Sequence, residues 1–162
     1  MIFAFTFLFG GILHAADGNF LEELRRKHLP AGAVYDATKS QQIEDMMKSV
    51  TKKGGSAGKR ERADKPKRSE LYYFRISSNF ETAKQRMTTK GLQFVEWDKQ
   101  RLKREQKKGA GKNKFKPLEM PDYRQASASE NNDLFILSTH FLNLETREWQ
   151  RGVNLQVVHQ EP

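Results

Sequence analysis

Residues 69–80, SELYYFRISSNF, begin with a row of large apolar and aromatic side chains directly after a tract too charged to enter a core. Tyr72, Phe74 and Ile76 alternate with Leu71, Tyr73 and Arg75. That is the two-residue period of an extended strand with one strongly apolar face and one mixed face. A strand of this kind is unstable alone and needs partner strands and a core. The chain must therefore supply a sheet.

Its other members are sought among the remaining apolar runs. GLQFVEW at 91–97 places Leu92 and Phe94 on one side and Val95 with Trp97 on the other. LFILS at 134–138 is a short continuous run, while FLNL at 141–144 and VNLQVV at 153–158 alternate, with Trp149 between them. Residues 77–90 are mostly polar and read as a surface loop between two strands. Several short strands joined by polar connections predict a mainly β domain over 70–162 with helices N-terminal to it. Its short antiparallel strands would form an open sheet or partial β-sandwich with long basic loops.

The N-terminus, MIFAFTFLFGGILHAADG, carries an apolar run from Ile2 to Leu13 followed by small residues. This length suits a secretory signal peptide over 1–16 and falls short of the ~20 residues that cross a bilayer as a helix. A buried N-terminal segment is the alternative, since no Lys or Arg precedes the run. Export and an extracellular location are the expectation, and because the chain has no cysteine, burial or a partner must replace disulfides. Residues 17–50 hold two amphipathic helical patterns. Asn19 and Glu22 suggest a capping box ahead of Phe20, Leu21, Leu24 and His28; Thr38 and Gln41 suggest another ahead of Ile43, Met46, Met47 and Val50. Helices this short need a surface to cover, either the chain's own sheet or a partner.

The net charge of +9 resides in two tracts. Residues 51–69 carry eight basic and two acidic side chains and read as a flexible linker; residues 99–117 carry nine and one and read as a basic loop. Clustered Lys and Arg attract polyanions, so Lys107, Lys108, Lys112 and Lys114 are candidate contacts for heparan sulfate, with a solvated loop as the alternative. Arg101, Leu102, Lys103 and Arg104 match the R-x-[KR]-R pattern cut by proprotein convertases, a short pattern in a basic chain. Aromatic residues beside basic tracts also invoke RNA stacking, but this strand lacks the glycine and the leading basic residues of the common RNA-binding signature. No metal-ligand spacing, phosphate loop or nucleophile motif is recognisable, so the sequence gives no reason to expect an enzyme, a cofactor or a metal.

Three segments, FLEELRRKHL at 20–29, LYYFRISSNF through GLQFVEW at 71–97, and STHFLNLETREWQRGVNLQVV at 138–158, together resemble the propeptide of the transforming growth factor-beta superfamily, nearest its activin and inhibin branch. The resemblance implies a secreted protein that assists folding of a cystine-knot growth-factor dimer or holds it latent. It implies a partner-facing helix through Phe20, Leu21 and Leu24, and an arm core containing Tyr72, Phe74, Ile76 and Trp149. Gly152 departs from the family pattern, which has an aromatic there. The sequence ends at Pro162 ahead of any cysteine-rich module, so the resemblance implies a truncated or partial precursor, a splice form, or a free-standing prodomain-like protein.

Overall fold

The computed structural model describes residues 17–53, 69–108 and 120–160. The expected signal peptide, most of the linker, and Lys112 and Lys114 lie outside the described residues. In chain order the elements are α1 (Asp17–Lys27), β1 (Ala33–Tyr35), α2 (Ala37–Lys53), β2 (Ser69–Ile76), α3 (Phe80–Thr89), β3 (Val95–Glu96), α4 (Lys99–Lys108), β4 (Gln125–Glu130), β5 (Asp133–Leu142) and β6 (Trp149–Gln160). The strands form one antiparallel sheet in the order β1-β2-β6-β5-β4-β3. The mainly β expectation holds, as the open sheet of the two arrangements considered.

β2 pairs with β6 along seven positions, Tyr72 opposite Val157 and Phe74 opposite Leu155. Tyr72, Phe74 and Ile76 join Phe135, Leu137, Leu155 and Val157 in the core on one face of the sheet. Burial of each such side chain contributes about 1.5–3 kcal/mol. α1 and α3 cover this face: Leu24 is 2% exposed, and Phe80, Ala83 and Met87 are buried. The mixed face of β2 is covered as well, since Leu71 and Tyr73 are 6% and 1% exposed.

Several local expectations are corrected. Residues 77–90 form α3 where a loop was expected: Asn79 caps the helix by accepting from the Thr82 N–H at 2.8 Å, and Phe80, Ala83 and Met87 fall on one face. The first part of the basic tract 99–117 is α4, started by Asp98, whose carboxylate accepts from the Arg101 N–H at 2.6 Å. Asn19 lies inside α1, and Glu22 pairs with Arg25 at 3.2 Å within the helix. The cap of α2 is Asp36, two residues before Thr38, through its bond from the Lys39 N–H at 3.0 Å. That helix runs to Lys53, into the expected linker. The apolar runs at 134–138 and 141–142 lie on one strand, β5 (Asp133–Leu142), with a bulge between Ser138 and His140, followed by a turn at Asn143. In 91–97 only Val95–Glu96 pairs as a strand, and Val95 is 58% exposed.

β1 is only three residues long and covers only the Phe74–Ile76 end of β2. α2 takes over beyond it. Ser40 Oγ accepts the Tyr73 N–H at 2.9 Å, and Glu44 Oε1 accepts the Leu71 N–H at 3.0 Å. Four helical residues rise about 6 Å, and two strand residues rise about 6.6 Å, so an i, i+4 pair on a helix matches an i, i+2 pair on a strand edge. The helix thereby closes an edge that would otherwise offer unpaired N–H groups.

Candidate functional site

α2 also leans across the second face of the sheet, leaving a cleft of about 410 Å3. Its floor is Tyr73 of β2, Gln156 of β6 and Ile136 of β5. One wall is α2, through Lys39 and Ile43. Phe141, Leu144, Trp149 and Tyr123 close the other side. The lining is predominantly apolar with a few polar groups, the usual character of a small-molecule site.

Two features at the α2 end stand out. The Lys39 ammonium lies 3.7 Å from the centre of the Phe141 ring and 4.9 Å from that of Tyr73. Burial holds its pKa below the usual lysine range, with the nearby Asp36 charge opposing that shift. The Tyr73 hydroxyl is buried with no hydrogen-bond partner among the described residues, and burial first, then Asp36, raises its pKa. At the far end Tyr123 donates to Gln125 Oε1 at 2.5 Å, and burial pushes its hydroxyl up to about 12.

The wall bearing Phe141 is set by the β5 bulge and by Gly152. A Cβ on Gly152 would stand 2.9 Å from Phe141 Cε1, so the ring occupies the space that a larger residue would need. Asn154, 1% exposed, ties the bulge together: its Nδ2 donates to the carbonyls of His140 at 3.0 Å and Gly152 at 3.1 Å, and its Oδ1 accepts from Ser138 Oγ at 3.1 Å.

A second cluster lies on α3, β3 and Arg124, the residue before β4. Arg124 bonds both Glu81 and Glu96, the latter at 2.8 and 3.0 Å, and Lys84 pairs with the same two carboxylates. Hydrogen bonds from Arg124 to Glu81 and from Lys84 to Glu96 are the leading causes that lower these two carboxyl pKa values. All members are satisfied within the cluster, which joins the edge strand to α3. Among the described residues no group of three or more His, Cys, Asp or Glu is placed to hold a metal ion.

The residues singled out from sequence separate into different regions. Tyr72, Phe74 and Ile76 are in the core. Trp149 is a correction: it is half-buried outside that core, in the cleft wall, with Tyr123 edge-on to it at 6.3 Å. Leu24 is also corrected. It packs into the chain's own core, and Phe20 and Leu21 are partly buried against the same cluster, so the α1 stripe lies on the sheet. Arg101, Lys103 and Arg104 sit on α4, whose Leu102 is 5% exposed. Held this way, the convertase pattern is helical and anchored, whereas cleavage favours exposed loop tips. Lys107 and Lys108 are within the same helix. Lys39, Tyr73 and Tyr123 were not anticipated as neighbours, and only the placement of Tyr73 on the mixed face of its strand hinted at it.

Comparisons of the chain with protein-family models, with curated proteins and with solved structures find no match. No helix among the described residues is long and apolar enough to cross a membrane.

Proposed function

We propose that the protein acts by binding, as a secreted propeptide-like domain of the transforming growth factor-beta kind that chaperones a cystine-knot growth-factor dimer or holds it latent. The observation that supports this reading best is spatial. Of the three segments that carry the resemblance, 138–158 supplies half of β5 and most of β6, 71–76 forms most of β2, and 20–29 forms most of α1. β2, β6 and β5 are consecutive in the sheet, and α1 lies over them, with Phe20 5.0 Å from the Tyr72 ring and His28 5.3 Å from that of Phe135. Short likenesses arising by chance have no reason to converge on one packed unit; 91–97 joins it too, through Leu92 in the core and Phe94 packed against it, before it reaches the β3 edge.

In this reading the partner contact falls on the margin of α1, where Phe20 and Leu21 remain half-exposed, and not on Leu24. Co-expression with a disulfide-linked activin-type dimer tests it. Recovery of both chains in one complex from the medium is the expected result. Separate recovery, with the chain folded, rejects the reading.

A second reading, binding of glycosaminoglycan, is favoured by α4, which exposes Lys103 and Arg104 on a helix anchored through Leu102. Neutralising Lys103, Arg104, Lys107 and Lys108 should lower the salt needed to elute the chain from heparin. Unchanged elution rejects it.

A further inference from the structure

We propose that the cleft between α2 and the second sheet face binds a small amphiphilic carboxylate, with the anionic group against the Lys39 ammonium and Tyr73 hydroxyl and the apolar body along Ile43, Ile136 and Trp149. The site is independent of growth-factor binding.

Four observations carry it. The cleft holds about 410 Å3, within the range of about 300–1,000 Å3 typical of small-molecule sites. Among the described residues Lys39 makes no ion pair: Asp36, the nearby acid, accepts from the Lys39 backbone N–H at 3.0 Å and faces Arg75 at 3.6 Å. The ammonium is held instead by the Phe141 and Tyr73 rings, which fix its position without neutralising it. The Tyr73 hydroxyl is the fourth: it has no hydrogen-bond partner among the described residues, and a buried donor left unpaired is costly unless a ligand atom meets it.

The chemistry of the ligand follows. A cation and an unpaired hydroxyl donor at one end favour an anion with two acceptor oxygens over a neutral head group. The aliphatic and aromatic walls favour an unbranched or aryl body over a sugar or nucleotide, which would strand its hydroxyls against Ile136 and Leu144. One charged end and one apolar body is the pattern that fits.

The test uses the full chain and two probes of the same length, dodecanoate and dodecanol, in calorimetric titration. Dodecanoate is expected to bind saturably at one site, more tightly than dodecanol by on the order of tenfold. Lys39→Met should remove that preference while leaving dodecanol binding unchanged. Tyr73→Phe separates a ligand role from a structural one: it should weaken dodecanoate binding while leaving the melting temperature equal or higher, because it deletes a hydroxyl that has no partner in the fold. Lys103→Ala with Arg104→Ala, on exposed α4, should leave the affinity intact. Equal affinity for the two probes, absence of saturable binding, or a preference abolished by the α4 substitutions and not by Lys39→Met would overturn the proposal.

Discussion

Replacing Ser40 with alanine removes a single oxygen and should loosen the whole β2 edge. Ser40 is 3% exposed; its Oγ accepts the Tyr73 N–H at 2.9 Å and donates to the Asp36 carbonyl at 2.9 Å. The Asp36 carbonyl keeps the Ser40 backbone N–H at 3.0 Å, so little is lost there. The Tyr73 N–H has no alternative, because β1 ends at Tyr35 opposite Phe74. A buried donor left unpaired costs about 1–3 kcal/mol. The better helix propensity of alanine returns at most about 0.5 kcal/mol. The net expectation is about 1.5 kcal/mol of destabilisation, a shift of roughly 0.5–1.5 M in the urea midpoint. Hydrogen exchange adds the local signature: the Tyr73 amide should lose protection beyond the global change. An unchanged midpoint together with unchanged Tyr73 exchange would refute the helix-as-edge-cover argument.

Other outcomes follow from the same packing. Leu24→Ala should cost about 2–5 kcal/mol in thermal or urea unfolding, since Leu24 lies in the core; a variant as stable as the parent would show that α1 does not belong to the sheet. Asn154→Leu should destabilise by more than about 2 kcal/mol, because four hydrogen bonds are lost at once and the Ser138 hydroxyl and His140 carbonyl keep only each other, at 3.2 Å. Retained stability would mean that the β5 bulge is held by other groups. For pH, Glu81 and Glu96 have folded pKa values below their unfolded ones, so their contribution is present above about pH 4.5 and is lost as pH falls through the depressed values. Both are well exposed, so the effect is modest and screened by salt. Stability titrated from pH 6 to 3 should fall less steeply in Glu81→Gln/Glu96→Gln than in the parent, and parallel curves would contradict the assignment.

How much of this could be read beforehand depended on the size of the side chains involved. β2 and β6 were legible because Tyr72, Phe74, Leu155 and Val157 are large and alternate cleanly. β4 was not, because QASASE carries no strand signal: Ala126 and Ala128 are buried and small, and Ser127 faces the other side to accept from the Trp97 indole at 2.7 Å. α3 had its signal, Asn79 followed by Phe80, Ala83 and Met87, but three apolar positions among polar ones give a faint period. The α1 stripe was read correctly as amphipathic, yet periodicity cannot say which surface a stripe covers. The cleft was beyond reach for a different reason. Lys39, Tyr73, Tyr123 and Trp149 are far apart in the chain and meet only once strand order and the lean of α2 are fixed.

Binding of a growth-factor dimer is the central proposal, and size-exclusion chromatography with light scattering addresses it most directly. The purified chain mixed with a disulfide-linked activin-type cystine-knot dimer is predicted to elute as one species with the summed mass of the two components. Two peaks at the masses of the separate components, with the chain's sheet intact by circular dichroism, would contradict it.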